Sequence, residues 1–407
     1  MNKTEKLYYT DPCMYECSAQ VVECTADGDK FKVITDRSCF FPCGGGQPSD
    51  YGDISGARVC DVREKDGVLY HITDKALEVG SQVHMHVDIE RRKDHCAQHT
   101  GEHMISGIAK SLYGAVNVGF HMAEDYSTLD FDIMLTDEQI RKLESETNKR
   151  LRENRRIYTE TVDADVLHSL ELRKKTDGIE NRADEFRIVY IDGVDSCTCC
   201  GSHCNYTGEV GVIKLTAWQK YKSGMRIWFL CGERALSDYQ EKQTITDTLA
   251  KRFSTKQEEV LALTIKQGDE LASTKHALKQ KITELCELRA DTLLQSAKVQ
   301  NGVSVITIID ENADMFEHKT LAEKLVQKGK TLCLLMSHSE NAVSYTVASS
   351  EGVSPSANEL CPAVNAALGA KGGGRVGFAQ GKAPKTSKSQ LEQAAEQMHT
   401  YILRVIK

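Results

Sequence analysis

His99 and His103, and far along the chain Cys199 and His203, repeat one spacing, with two metal-ligand side chains at i and i+4. On a helix or tight turn that spacing puts both side chains on one face, with Cβ atoms roughly 5–6 Å apart. Both members of a pair can then reach a single ion. Three imidazoles and a thiolate form the mixed nitrogen and sulfur set that suits Zn²⁺. The two pairs are so distant in sequence that the fold must bring them together. Such a site is built by a domain, whereas in a zinc finger the metal builds the domain.

His95 extends the first pair to a stripe of three histidines, as a partner that orients a ligand or as a bystander. His99-Thr100-Gly101-Glu102-His103 also satisfies the H-x-x-E-H protease pattern, in which Glu102 would act as general base. Such a protease completes its site with a downstream carboxylate, whereas this chain offers Cys199 and His203. Around the second pair, Cys197, Cys200 and Cys204 are numerous enough to make a closed structural site of their own. The run Phe41-Pro42-Cys43-Gly44-Gly45-Gly46-Gln47-Pro48 places three glycines where backbone can approach a ligand closely. Gln47 follows them as a hydrogen-bonding group.

A length of 407 residues predicts two to four domains. Hydrophobic content of 40% and charge of 27% suit a soluble globular protein. The opening residues Met1 to Lys6 lack a basic segment leading into an apolar one, and no run of about 18 apolar residues occurs, so no membrane association is expected. Fifteen cysteines, odd in number and irregularly spread, fit reduced thiols in a cytoplasm. A net charge of −8 argues against wholesale coating of nucleic acid but leaves room for a local basic surface. Lys371, Arg375, Lys382, Lys385 and Lys388 supply one, with no acidic residue among them.

Residues 1–90 read as mainly β, with strands at 31–35, 57–62 and 83–87. Residues 91–235 read as mixed α/β. A helix is expected from near Asp94, a strand at 127–132, a capping box at Thr136 to Gln139, and a strand at 187–191. Residues 236–300 contain no proline and read as two helices broken near Phe253, with a second capping box at Ser254 to Gln257. Leu271, Leu278 and Leu285 recur at heptad spacing, with Ile282 between them, as in a coiled coil or helical hairpin. Packing within the chain and a homodimer satisfy that pattern equally. Residues 301–407 read as an α/β unit, with a glycine-rich passage at 372–374 and a closing amphipathic helix.

In this order the motifs resemble those of the alanyl-tRNA editing proteins (AlaX), relatives of the editing domain of alanyl-tRNA synthetase. Phe41 to Pro48 with Asp50 is similar to the family's glycine-rich motif, and Gln98 to Ser106 to its H-x-x-x-H helix. Gly119-Phe120-His121 with Ser127 to Asp130, and Cys199 to His203 with Thr207 to Gly211 and Lys214, complete the likeness. The segment Gly372 to Gln380 resembles the C-terminal domain of the synthetase, implying the family's long form. Cys43, Glu102, Ser202 and Cys204 depart from the usual pattern.

The resemblance implies an α+β protein with an N-terminal β-barrel-like domain, an α/β zinc-containing editing domain, a coiled-coil-like linker and a C-terminal α/β domain. It implies hydrolysis of serine or glycine esters of alanine tRNA, with no charging activity of its own. Zn²⁺ would be held by His99, His103, Cys199 and His203. Gln47, His121 and Glu102 would serve the reaction, Gly44, Gly45 and Gly46 the substrate, and the basic run from Lys371 to Lys388 the tRNA phosphates. A tRNA-binding protein with a structural zinc and a zinc peptidase are the rival expectations.

Overall fold

Strands near the chain's start alternate buried and exposed residues, and that alternation closes them into a barrel. In Gln82–Val87, for example, Val83, Met85 and Val87 point inward. The computed structural model describes residues 3–173, 185–339 and 342–407. Its barrel runs in the order Glu16–Asp27, Lys30–Thr35, Val68–Thr73, Ala57–Lys65, Gly52–Ile54, Gln82–Val87, with antiparallel neighbours throughout. Val33, Phe40, Ile54, Val62 and Met85 fill it. Beside that core lies a fully buried His71, 2.8 Å from Ser38 Oγ and 3.1 Å from the Val33 carbonyl. Burial pushes its pKa down to about 4.

The barrel hands the chain to the helix Ile89–Tyr113. It begins before the expected start at Asp94, because the Asp88 side chain accepts the Arg91 N–H and caps it. Asp94 sits inside the helix and pairs with Arg234 at 2.6 Å. Gly114, with φ of 70°, ends the helix. Around it stand a four-stranded sheet (Ile213–Tyr221, Gly224–Cys231, Ser127–Phe131, Asn117–Met122) and a three-stranded one (Ile157–Val162, Phe186–Ile191, Asp195–Thr198). The capping box at Thr136 forms as expected and opens the helix Asp137–Leu151. One compact unit ends at Leu249 and a second begins at Ala250.

The helix Gly232–Phe253 stops where a break was expected, and a helix Val260–Ser296 follows. The capping box expected at Ser254 does not form. Ser254 takes a positive φ of 53°, and Thr255 bonds instead to Glu259, so that a short turn at Gln257–Glu259 leads into the helix. Leu271, Leu278 and Leu285 are exposed, while Ile282 packs beside Cys286 and Leu321. The second unit's sheet runs Lys298–Gln300, Val303–Glu311, Thr331–His338, Ala342–Ser349, Phe378–Pro384, Lys371–Arg375. The glycine passage forms an edge strand paired with Phe378–Pro384. Among the described residues no helix is long and apolar enough to cross a membrane.

Candidate metal centre and cavity

The Ile89–Tyr113 helix carries His99 and His103, and the loop after Asp195–Thr198 carries Cys199 and His203. Each offers one ligand atom, and the four atoms all lie within 4.8 Å of one another. Cys199 Sγ stands 3.4 Å from both His99 Nε2 and His203 Nε2. Donors around a tetrahedral zinc are spaced about 3.3–3.8 Å apart, given its ordinary bond lengths. The donor set therefore fits such an ion in chemistry, and the two contacts of Cys199 fit it in spacing. Two glycines permit this convergence. A Cβ on Gly201 would fall 2.1 Å from His99 Cε1, and one on Gly107 would fall 2.4 Å from the Val194 carbonyl beside Asp195.

The far sides of two imidazoles are held. His99 Nδ1 lies 2.8 Å from Gln47 Oε1, and His103 Nδ1 lies 2.9 Å from Asp195 Oδ2. A ring that donates from Nδ1 presents the Nε2 lone pair to a metal. Gln47 is itself fixed, since its Oε1 accepts the Ser202 N–H at 3.2 Å and its Nε2 donates to Ser202 Oγ at 2.7 Å. Asp195 receives the Arg173 fork, Nε to Oδ1 at 2.6 Å and Nη2 to Oδ2 at 2.9 Å. Behind the glycine turn, the buried Arg92–Asp50 ion pair and the Asp50 bond to the Phe41 N–H tie that loop to the helix.

Burial pushes His203 down to about 3, which leaves its ring neutral and able to ligate. Burial resists ionisation of Cys199, but the adjoining His99 and His203 rings hold its thiol well below the usual range. Burial likewise opposes a proton on His103, yet Cys197, Glu102 and Asp195 raise its basicity well above an ordinary histidine's. A carboxylate-backed imidazole is the stronger donor.

Beside the donors opens a cavity of about 380 Å³, lined by His99, Glu102, His103, Asn117, Phe120 and Arg173 among others. Gly45 lines it too, and a Cβ on Gly46 would fall 2.8 Å from the Phe120 carbonyl, so the glycine turn seats against the strand Asn117–Met122. Other expected residues lie elsewhere. Gln47, expected to touch substrate, is 1% exposed and committed to His99 and Ser202. His121 is exposed on the strand face opposite Phe120, the residue that reaches the cavity. His95 is buried, and among the described residues its Nδ1 has no partner and it does not join the donors. Among the described residues Cys197, Cys200 and Cys204 form no group of their own, although Cys197 joins His103 and Asp195 in an overlapping one.

Asp195, Arg173 and Asn117 were not anticipated, and Ser202 was noted only as a departure from the family pattern. They stand at no ligand spacing, and only the fold reveals their partners.

In the second unit Lys371, Arg375 and Lys382 are exposed on the Lys371–Arg375 and Phe378–Pro384 hairpin, with Lys371 directly opposite Lys382. Like charges so placed repel, and an anion between them would relieve the repulsion. Lys385 is exposed beyond the hairpin, and Lys388 is already paired with Glu311 at 2.5 Å.

The family model of the threonyl and alanyl tRNA synthetase second additional domain matches residues 186–227. Alanyl-tRNA editing protein AlaX-L of Pyrococcus horikoshii is 31% identical to this chain, covering 98% of it and 99% of the relative. Alanyl-tRNA editing protein Aarsd1 of Mus musculus is 29% identical over 93% of this chain and 92% of its own. The alanine–tRNA ligase of Pyrococcus abyssi is 26% identical over 95% of this chain but only 43% of the ligase. Among solved structures, the C-Ala domain from Aquifex aeolicus alanyl-tRNA synthetase is 19% identical, with a TM-score of 0.24, covering 26% of this chain and 95% of that domain.

Proposed function

This chain belongs to the alanyl-tRNA editing protein family, and on that premise we propose that it is a metal-dependent hydrolase of mischarged alanine tRNA. The observation that carries the reading is the meeting of His99, His103, Cys199 and His203, the first three of which line a cavity of about 380 Å³. Their chemistry favours zinc. When bound, the ion supplies Lewis-acid charge stabilisation beside the ester.

The chain's own residues do the rest. Gln47 and Asp195 hold His99 and His103 in the ligating orientation. Phe120 and Phe186 give the cavity apolar walls that limit water around the ester. Gly45 lets backbone approach the bound end of the RNA. An aminoacyl ester is already activated, so a positioned water and an electrostatically prepared site suffice for hydrolysis. A pocket that hydrogen-bonds the serine hydroxyl leaves polar groups unpaired when alanine enters, and such sites discriminate strongly. Accepting glycine would rest instead on exclusion of the alanine methyl group.

Lys371, Arg375, Lys382 and Lys385 would grip phosphates of the tRNA, adding salt-dependent affinity with little sequence information. The exposed Leu271, Leu278 and Leu285 stripe suits a homodimer. The expected location is the cytoplasm.

The test is incubation of the pure protein with seryl- and alanyl-tRNA(Ala). Rapid loss of the seryl ester with the alanyl ester preserved supports the reading. Equal loss of both, or of neither, contradicts it, and tRNA binding without amino acid release would favour a non-catalytic role.

A further inference from the structure

One carboxylate in the cavity takes no part in the donor set. Glu102 sits on the helix between His99 and His103 and is 5% exposed. Its Oε1 is fastened, accepting from Ser106 Oγ at 2.6 Å and from Asn117 Nδ2 at 2.5 Å. Asn117 is held in turn, because its Oδ1 accepts the Gly119 N–H at 2.9 Å. Oε2 makes no hydrogen bond among the described residues and lies 3.6 Å from His103 Nε2, and both residues line the cavity. The nearby cation does not claim it: Arg173 reaches Glu102 only at 3.8 Å, while its fork is committed to Asp195. Arg173 and His103 both stand within 4 Å of the Glu102 carboxylate, but neither donates a hydrogen bond to Oε2 among the described residues.

An amino acid esterified through its carboxyl group retains one formal charge on its backbone, the α-ammonium. A carboxylate with one oxygen fixed and the other free is prepared to accept such a group, because little ordering remains to be done on binding. We propose that Glu102 Oε2 docks the α-ammonium of the esterified amino acid. This inference rests on the deacylase reading above. It makes the cavity selective for aminoacyl esters with a free amine and against N-blocked ones, such as the ester of a peptide. It also assigns Glu102 a task other than the proton transfer expected in a peptidase.

The test uses two non-hydrolysable amides of 3′-amino-3′-deoxyadenosine, one carrying serine and one carrying 3-hydroxypropionate, which differ only in the amine. Calorimetry on the metal-loaded wild type should show the seryl amide binding about tenfold tighter or more. Glu102→Gln should bind both amides alike while metal content stays unchanged. Ser106→Ala, which only unfastens Oε1, should lower the preference a few-fold. In deacylation, Glu102→Gln should raise KM while leaving kcat at saturation within a few-fold, the opposite of a lost general base. An amine preference that survives in both variants overturns the inference and leaves the deacylase reading standing. A wild-type protein that binds neither amide overturns both.

Discussion

At the candidate metal centre His99, His103 and His203 are buried, and two of the three are braced from behind by Gln47 and Asp195. On the hairpin of Lys371–Arg375 and Phe378–Pro384, Lys371, Arg375 and Lys382 stand exposed, ordered only by the strands that carry them. The first arrangement assembles chemistry from the barrel, a helix and a distant loop, so losing one contact disturbs all the others. The second draws on local alternation, so its contributions are separable and screened by salt. The two regions should therefore answer mutation differently, one cooperatively and the other by degrees.

The largest effect is expected from Cys199→Ala/His203→Ala, which removes half the donor set. Bound metal and deacylation should both be lost, read by metal analysis and by ester release; an active, metal-free variant would break the contrast at once. Asp195→Asn should be milder. It keeps the size of the side chain but withdraws the carboxylate behind His103, and metal affinity should fall about 10–100-fold in competition with a chelator. An unchanged affinity would mean that the bracing is incidental.

Acid should separate the regions as well. His71 is buried in the first unit with its folded pKa depressed to about 4, against about 6.5 unfolded. The unfolded chain then binds more protons between those values, so stability is full above about pH 6.5 and declines as pH falls toward 4. At pH 5 the loss comes to about 2 kcal/mol from this group. Chemical denaturation at pH 7 and pH 5 measures it, and His71→Gln should flatten the difference.

The smallest effect belongs to Lys371→Ala/Lys382→Ala. Affinity for tRNA should drop several-fold, and the slope of log K against log salt should shrink by about 1.5, two phosphate contacts' worth. Deacylation at saturating tRNA should be untouched. A salt slope that does not move would remove the hairpin from the RNA-binding surface.

Much of the centre was legible because ligand chemistry leaves a spacing: i, i+4 pairs announce themselves in a string of letters. Donor chemistry suggested that the two pairs share one ion and the resemblance implied it, while their distances came only with the fold. Asp195 and Arg173 escaped notice because a brace has no spacing of its own. Gln47 stood out as a hydrogen-bonding group after three glycines, and its amide faces His99 and Ser202. His121 shows the limit of a motif in a strand, where one residue's shift changes the face. No strand was expected at Lys371–Arg375, because glycine disfavours strands, but pairing with Phe378–Pro384 overrides the local preference. The helix starts at Ile89, ahead of the expected Asp94, because Asp88 supplies its cap.

X-ray absorption at the bound metal's edge tests the central claim most directly. One ion per chain is predicted, with a single sulfur at about 2.3 Å and the remaining protein donors nitrogens at about 2.0 Å. Two or more sulfurs would place Cys197, Cys200 or Cys204 in the coordination sphere, and absence of a stoichiometric metal would leave the four converging residues without their ion. Either result would contradict the account.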